Sequence, residues 1–301
     1  MSRFIFNGIT HTITLLDSNE EEIGKWTAYN NIDSPIIGFN FLRNGIYNII
    51  DRNRPHTHSD GSDSENGSYG PYGIIRFEYP GHTGVGVHSG RTHWRRTPGP
   101  EHPTRGCIRT TDETMRIITN NIRLSPLTTI DIRHNEPGDQ DDPSETKIVS
   151  TCEDISDMKW WIIIFMFVFF SAHAEVTCSQ RDYDKADMAM GSLKSWDSVD
   201  NYFSMYGDCD VDYVNEGTSE KIIRLLVDKW EQLSELSALV KRKPAIEDYV
   251  LEHINSTLDI DDLEKLRDYS LSNCQIDNKD LCKKLHDSAV VALKKLHSFY
   301  S

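Results

Sequence analysis

Short runs of alternating or β-branched apolar residues mark the first 133 residues of the chain. They occur at residues 4–6, 12–15, 45–50, 74–79, 85–88 and 128–132, with Gly, Asn, Asp and Pro between them. Such runs, bounded by turn residues, predict β-strands. One helix is predicted at 112–122, where Thr110 and Glu113 stand at the spacing of a capping box. The N-terminal part is therefore expected to be a mainly β domain with one short helix.

Beyond residue 175 the apolar residues recur at helical spacing. In the longest predicted helix, Ile223, Leu226 and Trp230 begin one apolar stripe. The full set of predicted helices is 195–206 (behind a Ser195 cap), 219–240, 245–254, 260–271 and 279–297. The C-terminal part is therefore expected to be an all-α domain.

Residues 158–174 separate the two parts and have the pattern of a secretory signal. Lys159 gives a cationic start, residues 160–170 are an uninterrupted apolar run, and Ala172 and Ala174 give the small-residue cleavage pattern. As a helix the run would be about 16 Å long, too short for the ~30 Å of membrane hydrocarbon. Cleavage after Ala174 is predicted, with an uncleaved anchor or a buried core helix as alternatives.

The chain is accordingly expected to divide into four segments. They are the β domain (1–142), an acidic linker (143–157), the signal-like segment (158–174) and the helical domain (175–301). The N-terminus has no apolar run of signal length. The first half is therefore expected to stay in the cytoplasm of the producing cell, and the second half to reach the periplasm.

Composition and charge narrow the possible partners. Thirty-two basic and 47 acidic residues give a formal net charge of −15, which repels phosphate backbones and argues against nucleic acid as a partner. A hydrophobic fraction of 38% is enough for packed cores. Four cysteines follow the signal-like segment and allow three disulfide pairings, of which we favour the two between near neighbours: Cys178 with Cys209, and Cys274 with Cys282.

The candidate chemistry lies around Cys107. Gly106 precedes this cysteine and a helix is predicted shortly after it, so backbone N–H groups near the sulfur favour a thiolate and an oxyanion hole. Arg105 and Arg109 add positive charge, and His88, at the end of a predicted strand, is the candidate general base. Together these residues predict acyl transfer through a thioester. A cysteine without such neighbours is more often a small buried core residue.

The spacing of these residues resembles the signature of L,D-transpeptidases of the YkuD type. His88 is followed by fifteen residues and then by the run from Thr104 to Arg109, TRGCIR. Residues 43–47 and 86–90 are similar to strand segments of that family. The resemblance covers about residues 40–133 and implies a YkuD-like β-sandwich. Arg105 stands where the housekeeping enzymes have a second histidine, which shifts the resemblance toward the L,D-transpeptidase-like effectors of type VI secretion.

The resemblance implies a role for each candidate residue. Cys107 is implied as the nucleophile and His88 as the base. Arg109 is either the anchor for a stem-peptide carboxylate, through its bidentate fork, or half of a structural salt bridge. The oxyanion and substrate side is implied to involve Gly106, Thr104, Arg105, Arg109, Ser89 and His82. No cofactor is implied.

No metal site is favoured by the sequence. Histidines that flank Cys107 lack the paired spacing of zinc ligands: His82, His93 and His102. His56 and His58 lie beside carboxylates, but a solvated polar loop is the preferred interpretation. Three aspartates lack the pattern of a calcium loop and are expected to form a solvated acidic face: Asp208, Asp210 and Asp212.

The helical part resembles the small periplasmic immunity proteins encoded next to such effectors, on the basis of residues 177–186 and 195–210 and the adjacent signal. The chain is therefore expected to be an effector fused to its immunity protein. A secretion apparatus would deliver the first half to the periplasm of a target cell. There it would act on peptidoglycan stem tetrapeptides as an L,D-carboxypeptidase or by transpeptidase exchange. The second half would bind the first and block its cleft.

Other functions stay open for the β domain. It could be a Cys–His peptidoglycan endopeptidase or amidase, although those enzymes place the histidine after the cysteine, whereas His88 precedes Cys107. It could also be a cell-wall-binding module without catalysis. A housekeeping cross-linking enzyme would need an N-terminal export signal, which is not found.

Overall fold

The computed structural model describes residues 1–34, 40–58, 62–92, 99–139 and 178–300. The predicted linker, the signal-like segment and the candidate His93 lie outside the described residues, so the four-segment division stays a prediction. Within the described ranges, no helix is both long and apolar enough to cross a membrane.

The N-terminal part is built around one continuous sheet. Its strands are β1 (Ser2–Asn7), β2 (Thr12–Leu16), β3 (Glu22–Tyr29), β4 (Gly45–Asn48), β5 (Ile75–Arg76), β6 (Gly86–His88), β7 (Ile108–Thr110) and β8 (Leu127–Arg133). Their order is β4-β8-β1-β2-β3-β7-β6-β5, so β3 joins the two halves that would otherwise be separate sheets. One helix, α1 (Asp112–Ile122), precedes β8. A mainly β domain with one short helix is thereby confirmed.

Alternation of side chains explains how this sheet is covered. Phe4 and Phe6 point to the same side of β1 and are fully buried. Met115, Ile118 and Ile122 lie on one face of α1 and belong to the same core. Burying each such side chain contributes roughly 1.5–3 kcal/mol. The β domain therefore has a hydrophobic core of its own.

Three local features of the β domain differ from the sequence-based expectation. Strand β3 was not predicted because most of its residues are exposed or half-buried, and its charged residues hide the period of two. Strand β7 is only three residues long and was not predicted either. The cap of α1 is Thr111, whose hydroxyl accepts a hydrogen bond from the Thr114 N–H, and not Thr110.

The C-terminal part is all-α, as predicted. Its helices are α2 (Gln180–Met190), α3 (Trp196–Tyr206), α4 (Asp212–Asp228), α5 (Leu233–Arg242), α6 (Ala245–Glu252), α7 (Ile260–Ser272) and α8 (Lys279–Ser298). Helix α2 was not predicted. The single helix expected at 219–240 is divided at Lys229, where the backbone leaves helical geometry, and the Trp230 indole N–H donates to the Asn273 carbonyl at 3.0 Å.

Disulfides fix two corners of the helical domain. Cys178–Cys209 links the start of α2 to the turn after α3, and Cys274–Cys282 links the end of α7 to α8. Both closed loops lie within the helical domain, so neither disulfide joins it to the β domain.

The two domains share one buried surface. The core of the helical domain extends to Tyr69, Ile74 and Cys107 of the β domain. The Tyr69 hydroxyl donates to the Tyr213 carbonyl at 2.5 Å. The face of the sheet that carries Cys107 is therefore covered by helices.

We predict that replacing Cys178 and Cys209 together with serine lowers the free energy of unfolding by about 4 kcal/mol, because the crosslink limits the unfolded chain. The matched Cys274→Ser and Cys282→Ser pair closes a shorter loop and should cost about 2.5 kcal/mol. Denaturant unfolding of the full chain measures both. A larger loss for the second pair would contradict the prediction.

Candidate active site

The pairing of two short strands places the predicted nucleophile and base on one face of the sheet. Strands β6 and β7 are parallel, with Val87 opposite Ile108 and His88 opposite Arg109. Because side chains alternate, Cys107 shares its face with Arg109 and His88. Val87 and Ile108 point the other way, into the core of the β domain.

The turn before Cys107 is held by Thr104 and Gly106. The Thr104 hydroxyl donates to the Cys107 carbonyl at 2.8 Å and accepts the Gly106 N–H at 3.4 Å. Gly106 has φ +148°, a conformation that residues with a side chain rarely adopt. In this structure both residues set the backbone of Cys107, and the substrate roles expected for them stay predictions.

His88 and Cys107 are both fully buried but are not hydrogen-bonded to each other. The His88 Nδ1–H donates to the Ser89 carbonyl at 2.9 Å, which leaves the lone pair on Nε2, and Nε2 has no hydrogen-bond partner. The Cys107 thiol donates to the Gly84 carbonyl at 3.7 Å. The Ser89 hydroxyl also has no partner, so Ser89 acts here through its carbonyl.

The surroundings of Cys107 favour a neutral thiol, in contrast to the expected thiolate. Burial raises the pKa of Cys107 well above its ordinary value, and the Glu216 carboxylate raises it further. Burial lowers the pKa of His88, and the charge of Arg109 adds to that effect. The sequence could not predict this state because it depends on the helix that covers the site.

Arg109 lies at the centre of the covered face and is fully buried. Its guanidinium donates to four backbone carbonyls: Ser68 at 3.0 Å, Ser89 at 2.9 Å, His102 at 3.2 Å and Pro103 at 3.5 Å. The remaining direction is filled by Glu216 of α4, whose carboxylate oxygen lies 2.5 Å from Nη2. Glu216 is also fully buried. Arg109 therefore binds a carboxylate, and that carboxylate belongs to the helical domain.

The first turns of α4 bind the rim of the same face. Asp212 accepts hydrogen bonds from His82 Nδ1 at 2.8 Å and from the Gly84 N–H at 3.0 Å. Asn215 accepts from Arg105 Nε at 2.6 Å. Positions 212, 215 and 216 fall on one side of a helix. Two candidates for the substrate side, His82 and Arg105, thus make contacts with α4 in this structure.

Glycine permits the close approach of the domains at two positions. A Cβ on Gly84 would lie 1.7 Å from the Tyr183 hydroxyl, and one on Gly217 would lie 2.4 Å from the Tyr69 hydroxyl. In both cases the glycine and the tyrosine hydroxyl belong to different domains. A larger residue at either position would separate the two surfaces.

The outer part of the shared surface is also polar. Asp33 accepts a hydrogen bond from the Ser256 hydroxyl at 2.5 Å and pairs with Lys295. Burial opposes ionisation of Asp33, but these hydrogen bonds outweigh it and lower its pKa. His102, expected only as a flanking histidine, has its Nε2 2.9 Å from the Thr257 carbonyl.

The functional residues of α4 were missed by sequence reasoning. The only signal in the sequence was a run of mostly polar or small residues, 212–219, before the apolar stripe of a long helix, and the structure shows that all of them are buried. The solvated acidic face expected at residues 208–212 is wrong for two of its three members. Asp212 binds His82, and Asp210 accepts a hydrogen bond from the Tyr249 hydroxyl. Asp208 is exposed.

A Ser–His–Asp arrangement occurs inside the helical domain but lacks a free nucleophile. Ser219 Oγ lies 2.9 Å from His253 Nδ1, and His253 Nε2 lies 3.0 Å from Asp210 Oδ2. Ser219 is fully buried and donates its proton to the Asn215 carbonyl at 2.8 Å. The group is therefore a structural network that supports α4.

The chain has distant likenesses among solved structures, including the following two. The structure of Bdellovibrio bacteriovorus Bd1075 matches with a TM-score of 0.32 and 15% identity, over 45% of this chain and 49% of that one. Mycobacterium tuberculosis L,D-transpeptidase 1 matches with a TM-score of 0.27 and 16% identity, over 44% of this chain and 60% of that one. This chain thus spans about half to three fifths of their lengths. No protein-family model and no curated protein matches the chain.

We predict that Glu216→Gln destabilises the full chain by about 3–5 kcal/mol, because it leaves the buried Arg109 charge without its partner. Denaturant unfolding provides the measurement. The control is Glu235→Gln on the exposed side of α5, which should change stability by less than about 0.5 kcal/mol. Equal effects of the two substitutions would contradict the role given to the ion pair.

The His82–Asp212 contact should be pH-dependent. The hydrogen bond to Asp212 raises the pKa of His82, so folding favours the protonated imidazole. This stabilisation is fully present below the unfolded value of about 6.5 and is lost as pH rises through the higher folded value. The Tm difference between wild type and His82→Asn should therefore shrink as the pH is raised above about 6.5. His286→Asn on α8 is the control, and a His82 difference that grows with pH would contradict the assignment.

Proposed function

We propose that the β domain is a cysteine acyl-transfer enzyme of the L,D-transpeptidase type that acts on peptidoglycan stem peptides, and that the helical domain is its inhibitor. The fusion would be an effector of antagonism between bacteria joined to its immunity protein. The observation that carries this proposal is the insertion of Glu216 onto Arg109, beside the buried Cys107.

The proposed reaction uses Cys107 and His88, which lie on one face of the sheet together with Arg109. His88 Nε2 takes the proton of the Cys107 thiol, and the sulfur attacks the carbonyl carbon of the bond that precedes the terminal D-residue. The C–N bond breaks, the leaving amine takes the proton from His88, and a thioester remains on Cys107. Water then releases the shortened peptide, or another D-amino acid attacks the thioester and is exchanged into the peptide. The free lone pair of His88 Nε2 supports its assignment as the base.

Arg109 would anchor the carboxylate at the end of the stem peptide. Its guanidinium is oriented by four backbone carbonyls, and they leave one direction at Nη2, where Glu216 lies, for a carboxylate. Glu216 occupies that direction in this structure, so it would compete with the substrate for the same donor. Inhibition would follow from this competition and from the burial of Cys107 under α4.

The same proposal accounts for the order of segments in the chain. The signal-like residues 158–174 would carry the helical domain to the periplasm after cleavage near Ala174, where it would protect the producing cell. The β domain would remain in the producer cytoplasm until a secretion apparatus delivers it to a target cell. Mature wall peptides are absent from the cytoplasm, so the enzyme would do no damage there.

The test separates the two domains in a living cell. Residues 1–142, exported to the periplasm of a bacterial host, should cause lysis, and coexpression of exported residues 175–301 should prevent it. Cys107→Ala and His88→Asn should abolish lysis. The core of the β domain is its own, which supports expression of this domain alone.

Mass analysis of the wall peptides decides among the candidate activities. Loss or exchange of the terminal D-residue is the expected result. Cleavage at another bond would support a Cys–His endopeptidase or amidase instead. Lysis by the Cys107→Ala variant, with unchanged wall peptides, would overturn the enzymatic proposal in favour of a wall-binding module.

A further inference from the structure

Two histidines of the β domain and one aspartate of the helical domain form a second cluster of titratable side chains. His56 Nε2 lies 2.6 Å from Asp187 Oδ2, and His58 Nε2 lies 2.9 Å from Asp187 Oδ1. The side chains of His58 and Asp187 are 4% and 3% exposed. The solvated environment expected for these histidines is therefore wrong for His58, because Asp187 of helix α2 covers it, whereas His56 is partly exposed.

We infer that this cluster is a binding site for a divalent transition-metal ion, with zinc as the expected ion. Two imidazoles and one carboxylate are ligand types that zinc prefers, and a fourth position stays open for water. The three ligand atoms lie within 4.8 Å of one another. Tetrahedral zinc holds such atoms about 3.4 Å apart, a difference that side-chain torsions can absorb.

A second carboxylate orients the more buried histidine for this role. His58 Nδ1 donates to Asp63 Oδ1 at 2.8 Å, so Nε2 is the ring atom that faces Asp187. Carboxylate–histidine–zinc arrangements use this same outer contact to fix the ligand. The rings of Tyr69 and Tyr213 pack against His58, with centroids at 4.6 Å and 5.6 Å, and restrict its rotation.

Unsatisfied atoms and charge also point to a cation. His58 Nε2 and Asp187 Oδ1 are buried, and neither completes a hydrogen bond of normal geometry. The carboxylates of Asp187 and Asp63 both face His58, and a bound divalent ion would balance their charge.

The site has an entry path and a structural consequence. His56 is partly exposed and lines a surface cavity together with Tyr72 and Arg76. His56 and His58 belong to the β domain, and Asp187 lies on α2. A bound ion would therefore add a further link between the two domains.

Titration of the metal-free full chain with Zn²⁺ alone tests the inference, with Co²⁺ absorption as a readout of tetrahedral geometry. One ion per chain is expected. His58→Asn and Asp187→Asn should abolish binding, and Asp63→Asn should weaken it about 10–100-fold. The matched control is His82→Asn, which removes another His–Asp contact between the domains and should bind zinc as wild type does.

Circular dichroism confirms that each variant is folded before titration. The inference is overturned if the wild-type chain binds no zinc, or if folded His58→Asn and Asp187→Asn bind it with unchanged affinity. It is also overturned if His82→Asn loses binding to the same extent. Zinc binding would then depend on the contact between the two domains in general and not on His58 and Asp187 as ligands. None of these results depends on whether the β domain cleaves wall peptides.

Discussion

The ion pair between Arg109 and Glu216 is the interaction on which the packing of the two domains against each other depends. Both side chains are fully buried, and taking each charge out of water costs several kcal/mol. Four backbone carbonyls that also accept hydrogen bonds from the guanidinium help to offset this cost. A buried pair of this kind forms only when helix α4 lies in one register against the sheet. A shift of α4 by a single residue would turn Glu216 away and leave an unpaired charge in the interface.

This pair also determines the chemistry of its neighbours. Cys107 and His88 lie on the same face of the sheet as Arg109, and their protonation follows from burial and from the charges of Glu216 and Arg109. The result is a neutral thiol next to a neutral imidazole. The helical domain therefore covers the candidate nucleophile and also raises the free energy of forming its thiolate. Both effects act in the direction expected of an inhibitor.

Local sequence patterns predicted the elements that have one buried face. Helix α1 has the predicted bounds, and Ser195 caps α3 as expected, because capping and helical spacing are properties of a few neighbouring residues. Strand β3 was missed because little of it is buried. Helix α2 was missed because its buried residues, Tyr183 and Asp187 among them, are partly polar and face the other domain. Periodicity cannot identify a buried face whose partners are polar.

The candidate site divides in the same way between sequence and structure. The sequence by itself determined the fold classes of the two parts and singled out Cys107, His88 and Arg109, because the residues around Cys107 and their spacing from His88 can be read along the chain. Only the tertiary structure decided that Glu216 meets Arg109 and that Asp187 meets His56 and His58. These partners are 107 to 131 residues apart in the chain. Their encounter depends on how two separately patterned domains pack, and the hydrophobic periodicity of neither domain records it.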